Sequence, residues 1–148
     1  MTTKSSLGVP GFALVTGAGS GIGRAICRLL AREACSGICL ADVNSASLEA
    51  VATELASIAT NPQFRTILAI VDVRDEASVQ KMIADSVAAF GRLDYAVNCA
   101  GIGAVKGPIA DGSVDDWNMM IGVNMTGVWI CVKEEIKAMR EQEPRDNA

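Results

Sequence analysis

The residues with the clearest chemical potential lie in one short stretch, Thr16-Gly17-Ala18-Gly19-Ser20-Gly21-Ile22-Gly23. It follows the apolar run Phe12-Ala13-Leu14-Val15 and leads into a helical pattern with Ile26, Leu29 and Leu30 on one face. A strand, a glycine turn and a helix start together make an anion site. Glycine lets the backbone turn tightly and approach a phosphate with no Cβ in the way. The helix start adds unpaired N–H groups and partial positive charge. A dinucleotide pyrophosphate is the anion that suits this arrangement. The alternative is a glycine-rich loop without a ligand, and the flanking strand and helix weigh against it.

A carboxylate stands at the right distance to read the rest of such a ligand. The run Ile38-Cys39-Leu40-Ala41 ends in Asp42, 25 positions after Gly17. An acid near that spacing accepts hydrogen bonds from both ribose hydroxyls and repels a 2′-phosphate. Val43 follows, not Arg or Lys. The alternative for Asp42 is a loop acid or helix cap, since the next helix begins at Asn44 or Ser45.

The glycine spacing departs from G-x-G-x-x-G and reads T-G-x-x-x-G-I-G. In that form it resembles the cofactor turn of the short-chain dehydrogenase/reductase family. The resemblance extends to Asn98-Cys99-Ala100-Gly101, similar to the family's N-N-A-G motif with Cys99 replacing the second Asn. It implies that Asp72 and Val73, which close the run Thr66–Val71, contact adenine, the acid through the exocyclic amine. The alternative for Asp72 is a loop cap. It implies that Asn98 steadies the sheet and that the backbone at Ala100-Gly101 passes beside the cofactor ribose. It implies that Asn124 marks a helix kink holding a water for proton relay, the alternative being an Asn facing solvent. Ser20 stands where members using NADP often carry a base, so NAD is the expected cofactor. The expected cofactor contacts are therefore Gly17, Gly19, Ser20, Gly21, Ile22, Gly23, Asp42, Asp72, Val73, Asn98, Ala100 and Gly101, with Asn124 as the catalytic position.

These residues need a scaffold. The expected strands are 12–15, 38–42, 66–71 and a fourth within 93–101. The expected helices are 21–34, one from 44 or 45 to the break at Asn61-Pro62, 76–90 ended by Gly91, and 114–142 capped by Ser113 with a bend near 122–124. The run 66–71 is apolar throughout, as a strand buried on both faces is. Alternating strands and helices predict an α/β fold with a parallel sheet. Right-handed crossovers give a Rossmann-like, doubly wound order 3-2-1-4, cut off after the fourth strand and its helix. Residues 1–10 are expected to be a disordered leader, 11–142 the NAD(P)-binding domain, and 143–148 a polar tail.

Composition narrows the partners. The 148 residues are half hydrophobic and carry a net charge of −4, which counts against nucleic acid. No apolar run approaches the roughly 18 residues that span a bilayer. The start of the chain lacks a secretory signal's hydrophobic core. Five cysteines form no C-x-x-C pair and there is no histidine, so no metal site is expected. Buried thiols in a reducing cytoplasm are the simple account.

The family mechanism implied by the resemblance moves a hydride between nicotinamide and an alcohol or ketone. It uses a Ser and a Tyr-x-x-x-Lys pair that these residues lack. Tyr95, the one tyrosine, is followed four positions on by Cys99. Three explanations stay open: a truncated form of an active enzyme, an inactive nucleotide binder, or a dimerisation and interaction module. A bare fourth strand and a half-covered final helix would favour self-association.

Overall fold

The computed structural model describes residues 8–103 and 107–145. The chain alternates β1 (Phe12–Thr16), α1 (Gly21–Arg32), β2 (Gly37–Asp42), α2 (Ser45–Ile58), β3 (Arg65–Ile70), α3 (Glu76–Phe90) and β4 (Tyr95–Asn98). A 3-10 turn at Ile109–Asp111 then leads to α4 (Val114–Ile121) and α5 (Val128–Glu141), joined by a π-helical segment, Gly122–Gly127. The strands form one parallel sheet in the order β3-β2-β1-β4, as the crossovers predict. Thr16 pairs with Ala41 on one side and Asn98 on the other, so the carboxyl ends of the three strands lie level.

The pleat sorts the core into two layers. Ala13 and Val15 of β1, with Ile38 and Leu40 of β2, pack against Cys27 and Leu30 of α1 and Leu48, Val51 and Leu55 of α2. Leu14, Cys39 and Ala41 face the other way, toward Val79, Met82, Ile83 and Phe90 of α3 and Ile130 and Cys131 of α5. Burying each large aliphatic side chain contributes roughly 1.5–3 kcal/mol. Phe12 and Phe90 stack with ring centroids 4.8 Å apart. Asp94 ties the amino end of β1 to the start of β4, accepting from the Phe12 N–H at 2.9 Å and from Arg92 Nε at 2.7 Å.

Local details correct two expectations and refine two more. β3 is an edge strand, and Leu68 and Ile70 are exposed on it, so the apolar run is not buried on both faces. Leu29 of α1 is exposed as well, since the buried face is carried by Gly23, Cys27, Leu30 and Ala31. The fourth strand lies within the stretch 93–101 expected for it and is four residues long. The bend near Asn124 is a π-helical insertion, a form that clusters at functional positions. Of the leader expected at 1–10, residues 1–7 lie outside the described residues. Val9 donates its N–H to the Glu33 carbonyl at 2.8 Å, and the Pro10 carbonyl accepts from Tyr95 Oη at 3.0 Å and from Arg145. Of the polar tail, 146–148 lie outside the described residues, and Arg145 is held near Asp94.

Candidate functional site

The sheet order reverses at β1: β2 and β3 lie on one side of it, β4 on the other. Beyond the strand ends at this reversal lies a cavity of 580 Å³, a size that holds organic ligands. Its wall takes in the turn after β1 (Gly17, Ser20 to Gly23), the ends of β2 (Ala41, Asp42, Val43) and β3 (Val71 to Arg74), and the segment after β4 (Cys99 to Ile102). Met119 of α4 and Val123 of the π-helical segment complete it.

Two close approaches set the turn. Gly17 has φ +66°, and a Cβ there would stand 2.7 Å from the Cys99 carbonyl oxygen. A Cβ on Gly23 would stand 2.2 Å from the Gly17 oxygen, because the turn folds back onto the first turn of α1. The Ala18 N–H donates to the Ala41 carbonyl at 3.1 Å, and the Gly19 N–H to Asp42 Oδ2 at 3.0 Å. Ser20 occupies the N-cap of α1, yet its side chain makes no capping bond. Past it, the place a Cβ on Gly21 would take is open, with no atom within 4 Å. An unclosed helix start facing open space fits a pyrophosphate.

Asp42 is fixed at the end of β2. Its Oδ2 accepts from Gly19 and its Oδ1 from the Asn44 N–H at 3.2 Å. Each oxygen keeps a further lone pair, and Asp42 lines the cavity. Asn44 caps α2 with its own side chain, accepting from the Ser47 N–H at 3.1 Å.

Asp72 is held differently. Its Oδ1 accepts from the Arg74 backbone N–H at 3.0 Å and from Nε at 2.9 Å, and its Oδ2 from Nη2 at 2.5 Å. The Arg74 guanidinium keeps the Asp72 carboxyl below the usual carboxylate range. Val73 is buried between them and packs against Gly127.

The residues after β4 form a hydrogen-bonded chain behind the cavity. The Ala100 N–H donates to Thr16 Oγ1 at 3.2 Å, Thr16 Oγ1 to Asn98 Oδ1 at 3.4 Å, and Asn98 Nδ2 to Glu135 Oε2 at 2.9 Å. Glu135 is 4% exposed, and its Oε1 is buried with no hydrogen-bond partner among the described residues. Burial pushes the Glu135 carboxyl up, with the Asn98 bond opposing. Asn124 clamps the cavity rim: its Oδ1 accepts from the Ile102 N–H and its Nδ2 donates to the Ile102 carbonyl, both at 2.9 Å.

Of the positions singled out from sequence, Gly17, Ser20, Gly21, Ile22, Gly23, Asp42, Asp72, Val73, Ala100 and Gly101 meet on the cavity wall. Gly19, Asn98 and Asn124 are not on that wall; they act one step behind it, through Asp42, Thr16 and Ile102. Arg74 and Met119 were missed. Arg74 had a signal, an arginine two residues past a strand-end acid, within reach of a side chain that folds back. Trp117 of α4 is 55% exposed and off the wall, while Met119 is on it. Residues 104–106 of the loop after β4 lie outside the described residues. Cys27, Cys35, Cys39 and Cys131 are buried free thiols, and burial pushes Cys27 and Cys131 up to about 12 and Cys39 to about 11. Thiols held that high stay protonated and unreactive.

Parallel sheet, order reversal and glycine turn define a Rossmann-like α/β domain. The sequence pattern of the short chain dehydrogenase family matches residues 11–145, and the chain belongs to that family. A short-chain dehydrogenase of Penicillium roqueforti, anuF, is 42% identical over 138 residues, 93% of this chain and 50% of its own length. A dehydrogenase/reductase of Sinorhizobium meliloti has a similar structure, with a TM-score of 0.81, 29% identity, and coverage of 90% of this chain and 52% of that one. An actinorhodin polyketide ketoreductase solved with NADPH superposes with a TM-score of 0.77 at 29% identity, covering 87% of this chain and 47% of its own. The chain thus spans about half the length of the relatives it matches. Among the described residues, no helix is long and apolar enough to cross a membrane.

Proposed function

We propose that this chain is the nucleotide-binding part of an NAD-dependent oxidoreductase acting between alcohols and ketones. The observation that carries this is the unclosed start of α1, open to the cavity beside an Asp42 carboxylate tied to the same turn. The family supports a nicotinamide dinucleotide. In this assignment the amides of Gly21 to Gly23 take the pyrophosphate, and Asp42 takes the ribose hydroxyls. Asp72 and Val73 meet the adenine, and Ala100-Gly101 flank the second ribose. Gly19 and Asn98 hold Asp42 and Thr16 in place behind these contacts. A bound nicotinamide supplies the hydride chemistry. Asn124 serves proton relay: its side chain is occupied by Ile102, and the irregular backbone around it is the place for a water.

A 2′-phosphate beside Asp42 would meet repulsion of roughly 1–4 kcal/mol at contact distance. NAD is therefore favoured, although the ketoreductase named above was solved with NADPH. Fluorescence titration of the purified chain with NADH and NADPH tests this. Saturable binding, tighter for NADH, is expected; a folded chain that binds neither removes the proposal. A reducing cytoplasm is the proposed setting, supported by the buried protonated thiols.

The exposed face of α5 favours a further role in self-association. Trp129, Val132 and Ile136 recur at helical spacing on one solvent-facing side among the described residues. Sedimentation should give a concentration-dependent dimer. A monomer at every concentration would rule that out.

A further inference from the structure

We propose, resting on the nucleotide reading above, that Glu135 is a positioning residue for the cofactor wall: from α5 it sets the direction of the Asn98 side-chain amide and, through Thr16, the place of the Ala100 N–H.

Both ends of the hydrogen-bonded chain behind the cavity are fixed by their chemistry. At the cavity end the Ala100 backbone N–H can only donate, and it donates to Thr16 Oγ1 at 3.2 Å. At the far end Glu135 Oε2 accepts from Asn98 Nδ2 at 2.9 Å. Between them Thr16 Oγ1 donates to Asn98 Oδ1 at 3.4 Å. The bonds thus run in one direction, from a donor on the wall to an acceptor on α5.

An asparagine amide can sit either way round. Turned over, it would present Nδ2 to Thr16 and Oδ1 to Glu135. Thr16 Oγ1 would then receive two donors, and its own proton would lose its acceptor. Thr16 is 1% exposed, so bulk water does not replace that bond. An acceptor at Glu135 keeps the amide from turning. Burial pushes the Glu135 carboxyl up. A proton taken up on Oε1, which has no partner among the described residues, leaves Oε2 an acceptor, so the direction holds in either charge state.

The segment that receives this order has little room. Thr16 also holds the Cys99 N–H through its own carbonyl, at 3.2 Å. A Cβ on Gly17 would stand 2.8 Å from the Ala100 nitrogen. A shift of Ala100 therefore reaches the glycine turn as well as the wall at Ala100 and Gly101. Glu135 is not on the wall, so it acts on a ligand through this chain of bonds.

The test combines amide NMR of the full chain with NADH titration. In the native chain the Asn98 side-chain N–H protons should show stronger Overhauser contacts to the Glu135 methylenes than to the Thr16 methyl; the reverse overturns the inference. Glu135→Leu keeps the bulk and removes the acceptor. It should move the Ala100 amide resonance and weaken NADH by about tenfold. Glu135→Gln keeps an acceptor oxygen, so it should leave the resonance in place and the affinity within about threefold. Thr16→Val should weaken NADH about as much as Glu135→Leu. The double variant should lose no more than either alone, because both break one chain of bonds. An unmoved Ala100 resonance in Glu135→Leu, or losses that add in the double variant, overturns the inference. Native chain that binds no NADH overturns the nucleotide reading and this inference together; NADH binding that Glu135→Leu leaves unchanged overturns this inference alone.

Discussion

Two helices start side by side at the carboxyl ends of paired strands, and they finish their first turns in opposite ways. α2 closes its own start: Asn44 Oδ1 accepts from the Ser47 N–H. α3 and α4 do the same through Asp75 and Ser113. α1 has a serine in the capping place, and its side chain caps nothing. The first N–H groups of any helix need an acceptor. Three helices find one in their own sequence; the fourth opens onto the cavity. Internal capping and anion binding are alternative solutions to the same requirement, and the proposed pyrophosphate site rests on the difference between α1 and α2.

The strongest way to break the comparison is to close the approach between the turn and α1. Gly23→Ala places a methyl carbon where only 2.2 Å separates it from the Gly17 oxygen. Overpacking of this kind costs about 3 kcal/mol or more. We expect a marked fall in melting temperature and no measurable dinucleotide binding. Native-like affinity in this variant would show that the turn has another geometry.

Next in size is Asp42→Ala. It removes the repulsion of a 2′-phosphate and the acceptor for the ribose hydroxyls, so the NADH-to-NADPH affinity ratio should fall by about tenfold. Paired titrations read this directly, and an unchanged ratio removes Asp42 from the ribose site. Asn44→Ala is the matching change at α2. It should lower stability by about 1 kcal/mol in chemical denaturation, as loss of an N-cap does. NADH affinity should stay within the error of the titration, and a large loss of affinity would make α2 part of the site. Ser20→Ala is the smallest. With no capping bond to lose, it should change stability by less than about 0.5 kcal/mol. A loss near that of Asn44→Ala would erase the distinction between the two helix starts.

Much of this arrangement was readable from residues alone. The strand order followed from the alternation of strands and helices, and α3 from its apolar spacing and Gly91, which adopts φ +79° at the helix end. The cavity-facing glycines were legible because their spacing is a backbone requirement. What stayed hidden depends on tertiary neighbours. Leu68 and Ile70 read as buried because periodicity reports apolar character, not which strand ends up at an edge. The ion pair of Arg74 with Asp72 had a local signal, but its contacts with Gly122 and Met119, more than forty positions away, had none. Asn98 was expected to steady the sheet, and its side chain accepts from Thr16 and donates to Glu135. The π-helical segment was legible only as a bend, since an inserted residue leaves the helical pattern nearly intact on both sides.

The most direct test of the central claim is a backbone amide NMR titration of the chain with ADP-ribose, which carries the pyrophosphate and adenosine without nicotinamide. The account predicts that the amides of Gly21, Ile22 and Gly23 shift strongly and saturably, while that of Ser47, already closed by Asn44, barely moves. Equal shifts at both helix starts, or none at α1, would contradict it.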